Sequence, residues 1–313
     1  MVSESLTTAP EGKVSAMRQW PVAVLWSERN IKYWFVVPAV IFLLVLGIFP
    51  LLFSLYLVFA SWQPGSGGIQ FVGLRNLQAL ANDSRFWHAL GLTGFFVVCS
   101  VTIELVIGLF IALMMQAKIR GNQVFRLATS IPILMTPIAL SFTWRLMFDF
   151  TRGLLNYFLS LAGLPGVMWL GDPNFVIFSI VLVDVWQWSP FVVLVLLAAL
   201  EAQDVELYEA AVVDGAGYGA LLRYIAMPLI TPFIVTVILL RSIDAMKVFD
   251  TVFVLTGGGP GTASEVITLY GYSAHFRTFN MGYLSAVAWV LLVILTVIFI
   301  FFVRSFRRSR EAN

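Results

Sequence analysis

Six long apolar runs decide what this chain can become. They fall at Tyr33–Ala60, Phe86–Gln116, Val124–Phe148, Asn174–Leu200, Leu229–Leu255 and Met281–Val303. A helix needs about 20 mostly apolar residues to cross a bilayer, and each run supplies them. Several exceed that minimum, which implies tilt or protrusion from the membrane. The first run is too long for a cleavable leader, and no A-x-A site follows it. The reading is therefore an all-α, polytopic membrane protein with six transmembrane helices. Composition agrees: 60% of the 313 residues are hydrophobic and 12% charged, where soluble domains carry about 45–50% and about 25%. Mean hydropathy is +0.91.

Lys and Arg set the orientation, because cytoplasmic segments carry the excess. With the N-terminus inside, the inner segments hold Lys13, Arg18, Arg29, Lys32, Lys118, Arg120, Arg126, Arg223, Arg304, Arg307, Arg308 and Arg310. The outer ones hold Arg75, Arg85, Arg152 and Arg277. The basic residues cluster at helix ends and not on one face, so the net charge of +2 points to no nucleic acid. Residues 1–30 read as a polar cytoplasmic tail with an interfacial segment around Trp20–Trp26, 31–304 as one membrane domain, and 305–313 as a basic cytoplasmic tail.

Several chemistries are missing. The one cysteine, Cys99, lies inside an apolar run, which excludes an intrachain disulfide. His88 and His275 are isolated, so no metal site is expected. Gly257-Gly258-Gly259-Pro260-Gly261-Thr262 is glycine-rich, but no Lys follows to meet phosphates, and its residues suit a tight outer turn. No catalytic constellation is present, and no nucleotide site. If this chain pumps, its motor is another protein.

Charges inside the runs are costly and face protein or water. Glu104, Arg145, Asp184, Arg241, Asp244, Lys247 and Asp250 are of this kind. Arg241 with Asp244, and Lys247 with Asp250, are three apart and able to pair on a helix face. Arg241, Asp244 and Val248 fall on one stripe at i, i+3, i+7. Such residues either fasten helices together or line a polar path. In the fourth run, Asp184, Trp188 and Phe191 put an aromatic face beside a carboxylate, an arrangement that suits a sugar and equally suits bundle packing. Pro190 is placed to kink that helix.

Between the fourth and fifth runs lies a polar insert, residues 201–228. Glu206 and Glu209 open a short helix, Asp214-Gly215 breaks it, a second amphipathic piece follows, and Pro228 ends that piece. A helix–turn–helix at the membrane surface is a shape that a soluble partner can grip. Glu209, Ala210, Ala211, Gly215, Ile225 and Pro228 match, nearly residue for residue, the EAA loop of ATP-binding-cassette importer permeases, which the chain resembles; Met227 stands where Leu is more usual. FVGLRNL at Phe71–Leu77 and VLTGGGPGTAS at Val254–Ser264 are similar to two outer-loop segments of the sugar-importer branch, that of the larger maltose-transporter membrane subunit.

The resemblance implies a permease subunit in a bacterial cytoplasmic (inner) membrane, taking up a sugar or polyol by ATP-driven alternating access. It implies a second homologous permease, an ATPase dimer carrying ATP and magnesium, and an extracytoplasmic solute-binding protein. It makes Glu209, Ala210, Ala211, Asp214, Gly215, Ile225 and Pro228 the ATPase-coupling residues. It places the solute path on Asp184, Trp188, Phe191, Arg241, Asp244, Ala245 and Val248, with Ile133 in the third run. Asp184, Arg241, Ala245 and Val248 replace the family's amides and hydroxyls, which speaks against maltose itself. A permease for an amino acid or phosphate ester, or an ion-coupled transporter, stands as the alternative.

Overall fold

The computed structural model describes residues 28–65, 67–116 and 122–311. Most of the expected N-terminal tail, with Lys13 and Arg18, lies outside these residues, as do Lys118 and Arg120. The chain forms two compact units, residues 1–56 and 57–313. In the first, α1 (Glu28–Leu43) continues through a π-helical turn at Leu44–Ile48 into α2 (Phe49–Val58), whose last residues belong to the second unit. The span Tyr33–Val58 buries none of its apolar window within the chain, as expected of a helix whose solvent is lipid.

The second unit is built on a long central pair, α4 (Ser84–Gln116) and α8 (Val176–Glu201). The apolar window of α8 is 67% buried and that of α4 39%, so α8 lies at the centre of the bundle. The two approach closely because Gly108 has no side chain: a Cβ there would stand 2.5 Å from Val192 Cγ1. Small residues at membrane helix contacts allow such approach. α8 runs through Pro190 without a break.

Among the described residues, five helices are long and apolar enough to cross a membrane, and six if a bent pair counts as one span. The bent pair is the third run. It forms α5 (Asn122–Leu134) and α6 (Pro137–Met147), with a bend of 97° between the stretches Val124–Leu134 and Pro137–Met147. The cause is local. Thr136 precedes a proline and takes the extended conformation, φ −67°, ψ 137°, because the proline ring crowds the helical alternative. Helix α7 (Leu154–Leu161) follows in the long connection to α8.

The insert after α8 folds as α9 (Val205–Val213), a turn, and α10 (Tyr218–Leu221). Glu206 is in the first turn of α9; Glu209, expected there too, lies one turn later. Pro228 does not end the second piece. A π-helical turn at Leu222–Ala226 carries α10 straight into α11 (Met227–Ala245), one span from Tyr218 to Ala245. The π-turn at Leu44–Ile48 stands in the same place before Pro50. A proline ring clashes with the carbonyl four residues back, and a π-turn adds a residue there. The fifth run stops at Ala245, ten residues short of its expected end at Leu255. After a break, α12 (Asp250–Leu255) and α13 (Ile267–Tyr270) lead through a third π-turn, Gly271–Phe276, to α14 (Met281–Glu311). α14 continues beyond Val303, into what reads from sequence as a tail.

The end of the second unit opposite α9 is tightly tied. A two-residue antiparallel ladder joins β1 (Ala60–Ser61) to β2 (Gln70–Phe71). Asn76 of α3 (Arg75–Ala81) donates to the carbonyls of Val58 and Ala60, both at 2.9 Å, which gives the FVGLRNL segment a physical role. Asp83 caps α4, accepting from the amides of Arg85 at 2.8 Å and Phe86 at 3.3 Å. The hydroxyls of Tyr270 and Tyr283 donate to its other oxygen. Burial raises the Asp83 pKa, but these hydroxyls and amides outweigh it and hold the carboxyl below its ordinary range. Arg85 makes a two-pronged ion pair with Glu265 at 2.7 Å. The glycine-rich stretch is a turn, pinned by Ser264 donating to the Gly259 carbonyl at 2.6 Å and bonding Thr256 at 2.8 Å. His88 reaches the Thr262 carbonyl at 3.3 Å.

Candidate functional site: a charged cavity beside two broken helices

Three helices bring one guanidinium and three carboxylates together. Arg241 of α11 is 2% exposed and Glu104 of α4 is 0% exposed. Arg241 donates twice to Glu104, at 2.7 and 2.9 Å, once to Asp184 of α8 at 2.9 Å, and once to Asp244 one turn along its own helix at 2.8 Å. Its flat face lies 4.6 Å from the ring centre of Trp188, an attractive cation–π placement. Four of the five guanidinium N–H bonds are therefore committed. The i, i+3 pairing expected of Arg241 and Asp244 is present. Glu104 as the third-helix partner was not legible, since 137 residues separate it from Arg241.

A cavity of about 200 Å³ opens beside this cluster. Asp184, Gln187 and Trp188 line it from α8, Pro137 from the start of α6, and Asp244, Ala245, Lys247, Val248 and Asp250 from the end of α11 and the break after it. The cavity exists because two helices stop here. Each break frees backbone groups that need partners. At the first, Gln187 donates to the Met135 carbonyl at 3.1 Å. At the second, Thr268 donates to the Val248 carbonyl. Val248 is therefore beyond the helix, and the i, i+3, i+7 stripe does not exist as a helical face. Lys247 and Asp250 form no ion pair, because the helix that would have aligned them has ended.

Asp184, Trp188, Asp244, Ala245 and Val248 thus meet at one cavity. Arg241 stands behind its wall. Phe191 does not reach it: it lies further along α8 and packs against the apolar cluster of Ala112, Val192, Leu196 and Ile230. Ile133, at the end of α5, is half-buried and off the lining. Gln187, 2% exposed, was missed; its sequence signal is an amide inside an apolar helix beside Asp184. Arg145 donates to the Val254 carbonyl at 3.0 Å and takes no part.

The insert forms a second site, between the end of α8 and the start of α11. α9 closes in a Schellman turn: Ala216 N–H to Ala211 carbonyl at 2.9 Å and Gly215 N–H to Val212 carbonyl at 3.0 Å. Gly215 has φ +85°, the left-handed region that glycine enters freely. Glu209, Ala210, Asp214, Gly215 and Pro228 are exposed, and Ala211 and Ile225 half-buried. Val212, Val213 and Tyr218 are 57%, 86% and 71% exposed, an apolar surface around the turn. Tyr208 donates to Gln203 and so ties α9 to the end of α8.

Comparison with known proteins adds the following. Residues 104–311 match the family described as binding-protein-dependent transport system inner membrane component. A trehalose/maltose transport system permease of Thermococcus litoralis is 35% identical over 287 residues, covering 88% of this chain and 94% of its own. A trehalose transport system permease of Mycobacterium tuberculosis is 32% identical over 281 residues, covering 90% of each. The fold is similar to a chain of a bacterial ABC transporter involved in the import of the acidic polysaccharide alginate, with a TM-score of 0.79, 22% identity, and coverage of 92% and 97%.

Proposed function

We propose that this chain, which belongs to the family of binding-protein-dependent transport system inner membrane components, carries a sugar or sugar-like polyol through the membrane as one of two permeases of an ABC importer. Membership fixes a multi-pass transport component. The observation that carries the substrate class is the cavity: three carboxylates and an amide beside an indole, at the ends of two broken helices. Carboxylates and amides bond hydroxyls, and an indole offers apolar surface to the C–H faces of a ring. The names of the two relatives, both for trehalose, point the same way.

In this reading the α9 turn is the coupling element. Glu209, Ala210, Ala211, Asp214, Gly215, Ile225 and Pro228 form or support it, and the exposed Val212, Val213 and Tyr218 enter a groove of the ATPase. ATP and magnesium belong to that ATPase dimer, and a solute-binding protein delivers from the other side. Closure of the motors displaces the turn. α10 and α11 form one helix from Tyr218 to Ala245, so displacement at one end reaches the cavity at the other. The cavity then opens alternately to each face.

The test is uptake into proteoliposomes holding the two permeases and the ATPase, with binding protein added outside. Uptake of trehalose or another sugar that needs ATP inside is the expected result. Uptake driven by a proton gradient without ATP would defeat the reading.

A further inference from the structure

We propose that the cavity discriminates by charge: it accepts uncharged or amino sugars and turns away acidic ones. The inference rests on the carbohydrate reading above. Its basis is the disposition of the arginine beside the site. An arginine at a sugar site would ordinarily offer its fork to a carboxylate or sulfonate. Arg241 offers none. Four of its N–H bonds go to Glu104, Asp184 and Asp244, its face is against Trp188, and it is 2% exposed.

What faces the cavity instead is acid. Asp184, Asp244 and Asp250 line it, against a single base, Lys247. Adding the two charges behind the wall, Glu104 and Arg241, does not change the sign. Asp244 is the sensitive group. One of its oxygens holds Arg241, while its side chain is 49% exposed. A solute carboxylate brought here meets like charge in a recess partly stripped of water, and like-charge contact is a strong means of rejecting a wrong partner. A hydroxyl or an ammonium meets acceptors. The likeness in fold to an importer of an acidic polysaccharide carries no expectation for this wall, because a shared fold does not fix a site.

The membrane site must be tested apart from the binding protein, which makes its own selection. The assembled importer in nanodiscs, without binding protein, is titrated with radiolabelled trehalose and maltose and with the acids digalacturonate and maltobionate. The neutral sugars should bind roughly tenfold or more tightly than the acids, and Asp244→Asn should narrow that ratio by about tenfold. Acids binding as well as neutral sugars would overturn the inference. So would acid binding that Lys247→Gln abolishes, since Lys247 would then be the reader of anions. If no sugar of either charge binds and an amino acid does, the carbohydrate reading itself falls, which is a different result from loss of charge preference.

Discussion

At the scale of single residues, the Arg241 cluster shows how burial turns pairing into obligation. A buried pair is weak evidence of net stability, but removing one partner strands the other charge, at a cost of about 3–5 kcal/mol. Arg241→Ala would strand Glu104, which has no exposed surface. We expect this variant to lose thermal stability heavily in detergent, and Arg241→Ala with Glu104→Gln to recover a large part. Equal melting of the two variants would show that the cluster is not held by charge. Spacing revealed the Arg241–Asp244 half of the cluster, because i, i+3 contacts are local. The Glu104 and Asp184 half depends on how α4, α8 and α11 pack, and no sequence interval encodes that. Glu265 was invisible for the same reason; its partner Arg85 is 180 residues away.

At the scale of elements, the helix ends matter more than the helices. Gly215 illustrates a turn fixed by backbone geometry alone. A Cβ there would meet nothing within 4 Å, yet φ is +85°. Asn tolerates that conformation and β-branched residues do not. Gly215→Asn should therefore keep the ATPase bound through purification, while Gly215→Val should lose it with membrane insertion unchanged. Equal retention of the ATPase by both would remove the turn from the coupling element. Gly108 is the opposite case, decided by space. Alanine there would sit 2.5 Å from Val192 Cγ1, and overpacking of this kind costs about 1–3 kcal/mol. Gly108→Ala should melt earlier, and adding Val192→Ala should restore it. The elements themselves were largely readable from apolar length and from the Asp-Gly turn. Of the two breaks, one was signalled by Thr136-Pro137, where a proline constrains its predecessor. The other, after Ala245, has no Gly or Pro from Arg241 to Asp250 to announce it. The chain leaves the helix where charged residues and the carbonyl partner Thr268 make a different path available.

At the scale of the whole molecule, function depends on which face is cytoplasmic. On the Lys and Arg bias the α9 turn is expected in the cytoplasm and the glycine turn outside. Ser264 is buried and would give no label, but Thr262 beside it is exposed. In a Cys99→Ala background, Thr262→Cys should react with an impermeant maleimide in cells with a permeabilised outer membrane. Glu206→Cys should react only after lysis. The reverse pattern would invert the topology and put the α9 turn out of reach of a cytosolic motor.

The bent third span also has a consequence for how the chain is made. α5 and α6 are about 20 and 16 Å long, and the hydrocarbon core is about 30 Å thick. Neither half crosses by itself. The bend between them is held from α8, through Gln187 on the Met135 carbonyl and Trp186 against Trp144 at 5.9 Å. Yet α8 leaves the ribosome later. The third segment must therefore reach the translocon before the helix that shapes it, and its commitment to the bilayer waits on that helix. Truncated chains ending at residue 172 and released from the ribosome should show mixed protease access at Thr151, and released chains ending at residue 205, which include all of α8, should show one side only. Uniform access in both would mean that the segment inserts unaided and bends afterwards.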